Sequence, residues 1–186
     1  MKRKYIIQPS ANNDGTQTSE AVSCLASVQR GDLEHVRTLL QKGMAVNWRD
    51  EQGYGLLFHA IFRRQFAIVE ELLAHGANID LPDRHGWTPL FWAAFNNHAD
   101  IAGFLVAHHA DTNRATEEDT RPLFVAAYKG YAEVVRLLLA GGAQADAIDP
   151  GGRDALWVAR MNGHPEIVRL LEASATASGG RLPDTH

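Results

Sequence analysis

Apolar and polar positions along this chain return every 33 residues. Leu57, Leu90, Leu123 and Leu156 hold one such column, with Cys24 at the step before them. Ala60, Ala93, Ala126 and Ala159 hold another, preceded by Ser27. The pairs Leu39-Leu40, Leu72-Leu73, Leu105-Val106 and Leu138-Leu139 keep the same register, as do Gly43, Gly76, His109 and Gly142. No insertion or deletion interrupts it over five units, from about residue 17 to residue 172. A period of this length is the mark of stacked supersecondary units, each too small to bury its own apolar face.

Within a unit the pattern predicts two short helices and an extended turn. Thr88 is suited to cap the first helix of the third unit, because its hydroxyl can accept from a first-turn amide. Pro89 then takes the first helical position, where a missing N–H costs nothing. Leu90, Ala93, Ala94 and Asn97 recur at helical spacing, and the alanines let a neighbouring helix come close. Asn97-His98 ends that helix, and Asp100 opens the next. Glu34, Glu133 and Glu166 stand where Asp100 does; carboxylates there suit a helix N-terminus, so they are structural. Gly43, Gly76 and Gly142 allow the left-handed residue that closes a helix, and His109 must adopt it with a side chain.

A 33-residue period carrying D-x-x-G-W-T-P-L-F-x-A-A and V-V-R-L-L-L-x-G-G-A resembles the ankyrin repeat. The best copies are Asp83–Thr112 and Glu117–Asp146. The chain departs from the family pattern where the usual His after Pro-Leu is Phe58, Phe91, Phe124 and Trp157. The Thr-Pro pair survives only at Thr88-Pro89. The resemblance implies an all-α repeat solenoid with β-hairpin-like fingers. About five 33-residue repeats, caps included, are expected: 17–49, 50–82, 83–115, 116–148 and 149–173. Polar residues in otherwise apolar columns mark the two caps, Ser27 and His35 at one end, Arg160 and Glu172 at the other. Residues 8–16 and 174–186 are poor in apolar groups, and 1–16 and 174–186 are expected to be a flexible arm and tail.

The register sorts the rings of Gly86–Asn97, GWTPLFWAAFNN. Phe91 belongs to the column Phe58, Phe91, Phe124 and Trp157, which is expected to pack. In ankyrin arrays the fingers and first helices line a concave face, the usual binding surface. The resemblance therefore points Trp48, Tyr54, Phe62, Trp87, Trp92, Phe95 and Tyr128 toward a partner, with Arg49, Arg63 and Arg84 among them to meet carboxylates. Filling gaps in a loosely packed scaffold is the other reading of those rings. Glu117 and Glu118, with Asp119, make an acidic finger that is either a solvated loop or an orienting contact for a basic patch.

Composition narrows the rest. A formal net charge of −4 argues against broad affinity for nucleic acid or anionic membrane. The arginines of the N-terminal half leave single-stranded nucleic acid as a distant alternative, since Asp50, Glu51, Asp83 and the 117–119 finger interrupt the positive surface. One cysteine, Cys24, allows no internal disulfide and falls in the core column. His75 and His108 are one repeat apart but lack the companions of a zinc site. No phosphate loop or nucleophile elbow is present, so no enzyme, cofactor or metal is expected. MKRKYII is too short in apolar residues for a secretory signal, and no window spans a membrane. Fourteen Arg against four Lys hint at a GC-rich, bacterial genome. The expectation is a cytoplasmic protein, monomeric when unbound, that binds another protein. With no second folded domain read in the chain, an inhibitor such as a toxin-immunity protein is favoured over an adaptor or a host-targeted effector.

Overall fold

The computed structural model describes residues 15–177. Ten helices form five consecutive pairs: α1 (Gly15–Arg30) with α2 (Leu33–Gln41), α3 (Leu56–Phe62) with α4 (Phe66–Ala74), α5 (Pro89–Phe95) with α6 (Ala99–Ala107), α7 (Pro122–Lys129) with α8 (Ala132–Ala140), and α9 (Ala155–Met161) with α10 (Pro165–Ala177). Among the described residues the only β-pairing is an isolated antiparallel bridge between Arg49 and Gly55. The predicted flexible ends fall mostly outside the described residues, at 1–14 and 178–186. Residues 15 and 16 belong to α1, and 174–177 continue α10.

The described chain divides into two compact units. Residues up to Asp50 with Gly55–Asn78 make the first, and Glu51–Tyr54 with the chain from Ile79 make the second. In the first, α1 packs on α2 and α3, and α4 closes against α2 and α3. In the second, α5, α7 and α9 lie side by side as one layer, and α6, α8 and α10 as another. Most of these helices have only 7–9 residues. That is too short to persist alone in water, so packing between pairs must hold them. The columns read from sequence supply that packing. Every member of the Leu57 and Ala60 columns is buried, Cys24 and Ser27 included, and Ile68, Ile101, Val134 and Ile167 are at most 1% exposed.

Left-handed residues punctuate the fold in three columns of the same period. They are Gly31, Arg64, Asn97, Gly130 and Gly163 after the first helices, Gly43, Gly76, His109 and Gly142 after the second, and Gly53, Gly86, Asp119 and Gly152 in the loops. At each first-helix end the residue that follows bonds back five places, as His98 N–H does to Ala93 C=O at 2.9 Å and Tyr131 N–H to Ala126 C=O at 3.0 Å. Such a closure requires a left-handed residue just before it. His109 adopts it at φ 62°, and Arg64, Asn97 and Asp119 do the same without being glycine.

Thr88 caps α5 by accepting from Phe91 N–H at 3.1 Å, and Asp154 caps α9 by accepting from Trp157 N–H at 2.6 Å. The cap substitutions behave differently at the two ends. Arg160 and Glu172, which break the pattern together, form an ion pair at 2.8 Å. Ser27 was expected on a wet side, yet it is fully buried, its hydroxyl donating to Ser23 C=O at 3.0 Å. A small hydroxyl can be buried once its hydrogen is placed.

Candidate partner-binding face

Each loop ahead of a first helix closes over one acceptor side chain at its base. In the third repeat this is Asp83, only 5% exposed. Its Oδ1 accepts from the amides of His85 at 2.8 Å and Trp87 at 3.0 Å, and its Oδ2 accepts from Trp92 Nε1–H at 3.2 Å. One repeat later Thr116 Oγ1 accepts from the amides of Glu118 and Thr120. One further on, Asp149 Oδ1 accepts from Gly151 and Arg153 amides, and its Oδ2 from the Arg153 guanidinium. That guanidinium holds the Asp149 carboxyl below the usual carboxylate range. In the first unit Asp50 meets His59 Nε2 at 2.8 Å. The sequence reading counted Asp50 and Asp83 as surface charge interrupting a positive face. Asp83 is instead a buried tie, because three donors of its own repeat converge on it.

Asp83 thereby positions an aromatic cluster. Trp87 sits at its centre, its ring centroid 5.0 Å from Phe91, 5.0 Å from Trp92 and 5.5 Å from Phe95. Tyr54 meets Trp92 edge-on at 6.5 Å, and Lys129 places its ammonium 4.0 Å over Phe95. Phe91 is buried as expected, while Trp87, Trp92 and Phe95 are half-buried, largely by one another. Of the residues singled out from sequence, Tyr54, Trp87, Trp92 and Phe95 therefore come together.

Trp48, Arg49 and Phe62 are half-buried and Arg63 is exposed, all in the first unit, where Phe62 leans on Phe58 at 4.5 Å. Arg84 spends its guanidinium on backbone, donating to Gln52 C=O at 2.8 Å and to Glu51 C=O. Glu117 and Glu118 are exposed on their loop.

Three exposed residues extend this face along the layer. Tyr128 on α7 is 53% exposed, and Trp157 and Met161 on α9 are 46% and 66% exposed. Tyr128 and Met161 stand in the Phe95 column, and Trp157 and Met161 are four apart on one helix, hence neighbours. Trp157 was expected to pack with Phe91 and Phe124, and it does not. Phe91 is covered by Trp87 of its own loop, and Phe124 lies 5.9 Å beneath Arg153 of the next loop. Among the described residues the cation over Trp157 is that same Arg153, at 5.8 Å, and the ring stays 46% exposed. Trp157 and Met161 were not singled out from sequence, although the column shared by Phe95, Tyr128 and Met161 was visible there.

Cys24 is turned inward, and His75 and His108 are turned onto their own helices. Burial pushes the Cys24 thiol up to about 11, which makes it inert. His75 and His108 each turn Nδ1 to the carbonyl four residues back, at 2.9 Å. Among the described residues no group of three His, Cys, Asp or Glu is arranged to hold a metal ion, and no helix is long and apolar enough to cross a membrane.

Comparison with known proteins agrees with this architecture. A family model described as ankyrin repeats (3 copies) matches residues 24–116 and again 109–178. A search of curated proteins finds no match. Period, helix pairs and family match coincide over most of the sequence, and the chain belongs to the ankyrin repeat family, whose repeats generally serve as protein–protein interaction modules.

Proposed function

We propose that this protein binds another protein through the face that α5, α7 and α9 share with the loops preceding them. The observation that carries this reading is the exposure of Tyr128, Trp157 and Met161 at 53%, 46% and 66%, on adjacent helices in one register. Large apolar side chains left open side by side usually mark an interaction site on a folded domain. Tyr and Trp dominate the energetics of such contacts, and Met adapts to an irregular partner surface. The Trp87 cluster beside them is half-buried and braced by Asp83, so a partner would meet a surface already organised. Trp48, Arg49, Phe62 and Arg63 form a second proposed contact region on the other unit, and Glu117 and Glu118 a rim that orients a basic patch. Arg84 supports the loop of residues 51–54 and contacts the partner only through its exposed edge.

A single buried cysteine suits a reducing compartment, and the cytoplasm is the proposed location. Two modes follow from such a face, occlusion of a partner's working surface, as an inhibitor or immunity protein would act, or tethering. The test is capture of a partner by wild-type protein, then titration of the purified pair. The variant Tyr128→Ser, Trp157→Ser, Met161→Ser should lose at least about tenfold in affinity while keeping its circular dichroism. Equal binding by folded variant and wild type would move the site elsewhere. Loss of the partner's own activity on binding identifies occlusion, and retention identifies tethering.

A further inference from the structure

Lys129 behaves unlike its counterparts in the register. Asn96 and Asn162, one repeat to either side, turn back on their own helices, donating through Nδ2 to Trp92 C=O at 2.9 Å and to Val158 C=O at 2.8 Å. Lys129 instead leaves α7 and crosses to α5, where its ammonium lies 4.0 Å over the Phe95 ring, with the Tyr131 ring 6.0 Å away. A ring face attracts a cation but carries no net charge to neutralise it, and an ammonium has three hydrogens to place. The other cations of this face are spent: Arg84 on the carbonyls of Glu51 and Gln52, Arg121 on Asp119, Arg153 on Asp149 and Arg160 on Glu172. Among the described residues no carboxylate pairs with Lys129.

We propose that Lys129 reads charge on this face, and that the segment it takes from the partner is acidic: an Asp or Glu carboxylate seated on the Lys129 ammonium, with apolar side chains beside it running across Tyr128 toward Met161. The inference rests on the binding face proposed above and specifies what that face accepts. Lys129 follows Tyr128 in α7, and Phe95 belongs to the closed cluster, so the ammonium stands where the braced rings meet the open ones. Resting on Phe95 orders a flexible stem before any partner arrives, which removes part of the cost of ordering it on binding. Complementary charge then fixes register and excludes wrong partners. The α7 helix, 8 residues or about 12 Å long, separates Lys129 from the Glu117–Glu118 rim. A partner's acidic and basic groups are thereby directed to opposite ends of that helix.

Selection of randomised linear peptides on the wild-type protein tests it, with the folded Tyr128→Ser, Trp157→Ser, Met161→Ser variant used to recognise peptides held by the face. Peptides that need those three residues should carry Asp or Glu, and replacing that peptide residue by Asn or Gln should weaken binding about tenfold. Lys129→Gln should weaken it by the same factor, Lys129→Arg should retain it, and the peptide and protein changes combined should cost no more than either alone. Selection on Lys129→Glu should return basic peptides instead, a reversal that a purely structural lysine would not produce. The peptide substitutions read the contact on unaltered protein, whatever Lys129→Gln does to the fold. Face-dependent peptides that lack acidic residues, or that bind folded Lys129→Gln as tightly as wild type, overturn the role of Lys129 and leave the face standing. Recovery of no peptide that depends on Tyr128, Trp157 and Met161 overturns both.

Discussion

The third repeat and the last build the same loop and first helix and finish them in opposite ways. In the third, Asp83, Trp87, Phe91, Trp92 and Phe95 close on one another, with the Trp92 indole tied to the Asp83 carboxylate. In the last, the matching positions are Asp149, Arg153, Trp157, Val158 and Met161. Asp149 keeps its loop amides but spends its second oxygen on Arg153, and Trp157 and Met161 are left open. One backbone therefore yields a self-satisfied cluster or an exposed surface, depending on whether the loop offers an aromatic lid or a cation. The closed version is read as support and the open one as contact.

Removing the tie should produce the largest effect. Asp83→Ala strands two backbone amides and an indole N–H around a buried site, and each orphaned donor costs about 1–3 kcal/mol. Denaturant unfolding should show a loss of about 3 kcal/mol or more, with the Trp87 fluorescence environment lost as well. Equal stability would mean that the loop does not depend on its carboxylate. Next comes the pair of tryptophans. Trp87→Ala should cost about 3 kcal/mol, as for an aromatic removed from a packed cluster, whereas Trp157→Ala should stay within about 0.5 kcal/mol, as surface changes do. Similar losses in both would erase the distinction between closed and open.

These rings also show what was legible in the sequence. The fold was readable because the period is unbroken, and the burial of the Leu57 and Ala60 columns follows from it. Grouping Trp87, Trp92 and Phe95 required only the register. What covers each ring was not readable, because Phe124 is shielded by Arg153, a residue 29 places later in another repeat. Asp83 looked like surface charge because its donors lie two, four and nine residues downstream and converge only once the loop has folded.

Two smaller effects sharpen the comparison. Asp149 has a lowered pKa, so its contribution is present above the unfolded carboxylate range and is lost as pH falls through the folded value. Asp149→Asn should be less stable than wild type near neutrality and should converge with it in strong acid. Paired melts across pH would show whether the curves converge. His109→Gly, which relieves a left-handed side chain, should stabilise by about 1 kcal/mol in the same assay.

The most direct test of the central claim is hydroxyl-radical footprinting, resolved by residue, of the protein free and in complex with its captured partner. The free protein should be labelled strongly at Met161, Trp157 and Tyr128 and weakly at Trp87, Trp92 and Phe91. In the complex the first three should be protected with no new labelling of the cluster. Protection confined to the second helices, with Met161 and Trp157 labelled as before, would contradict it.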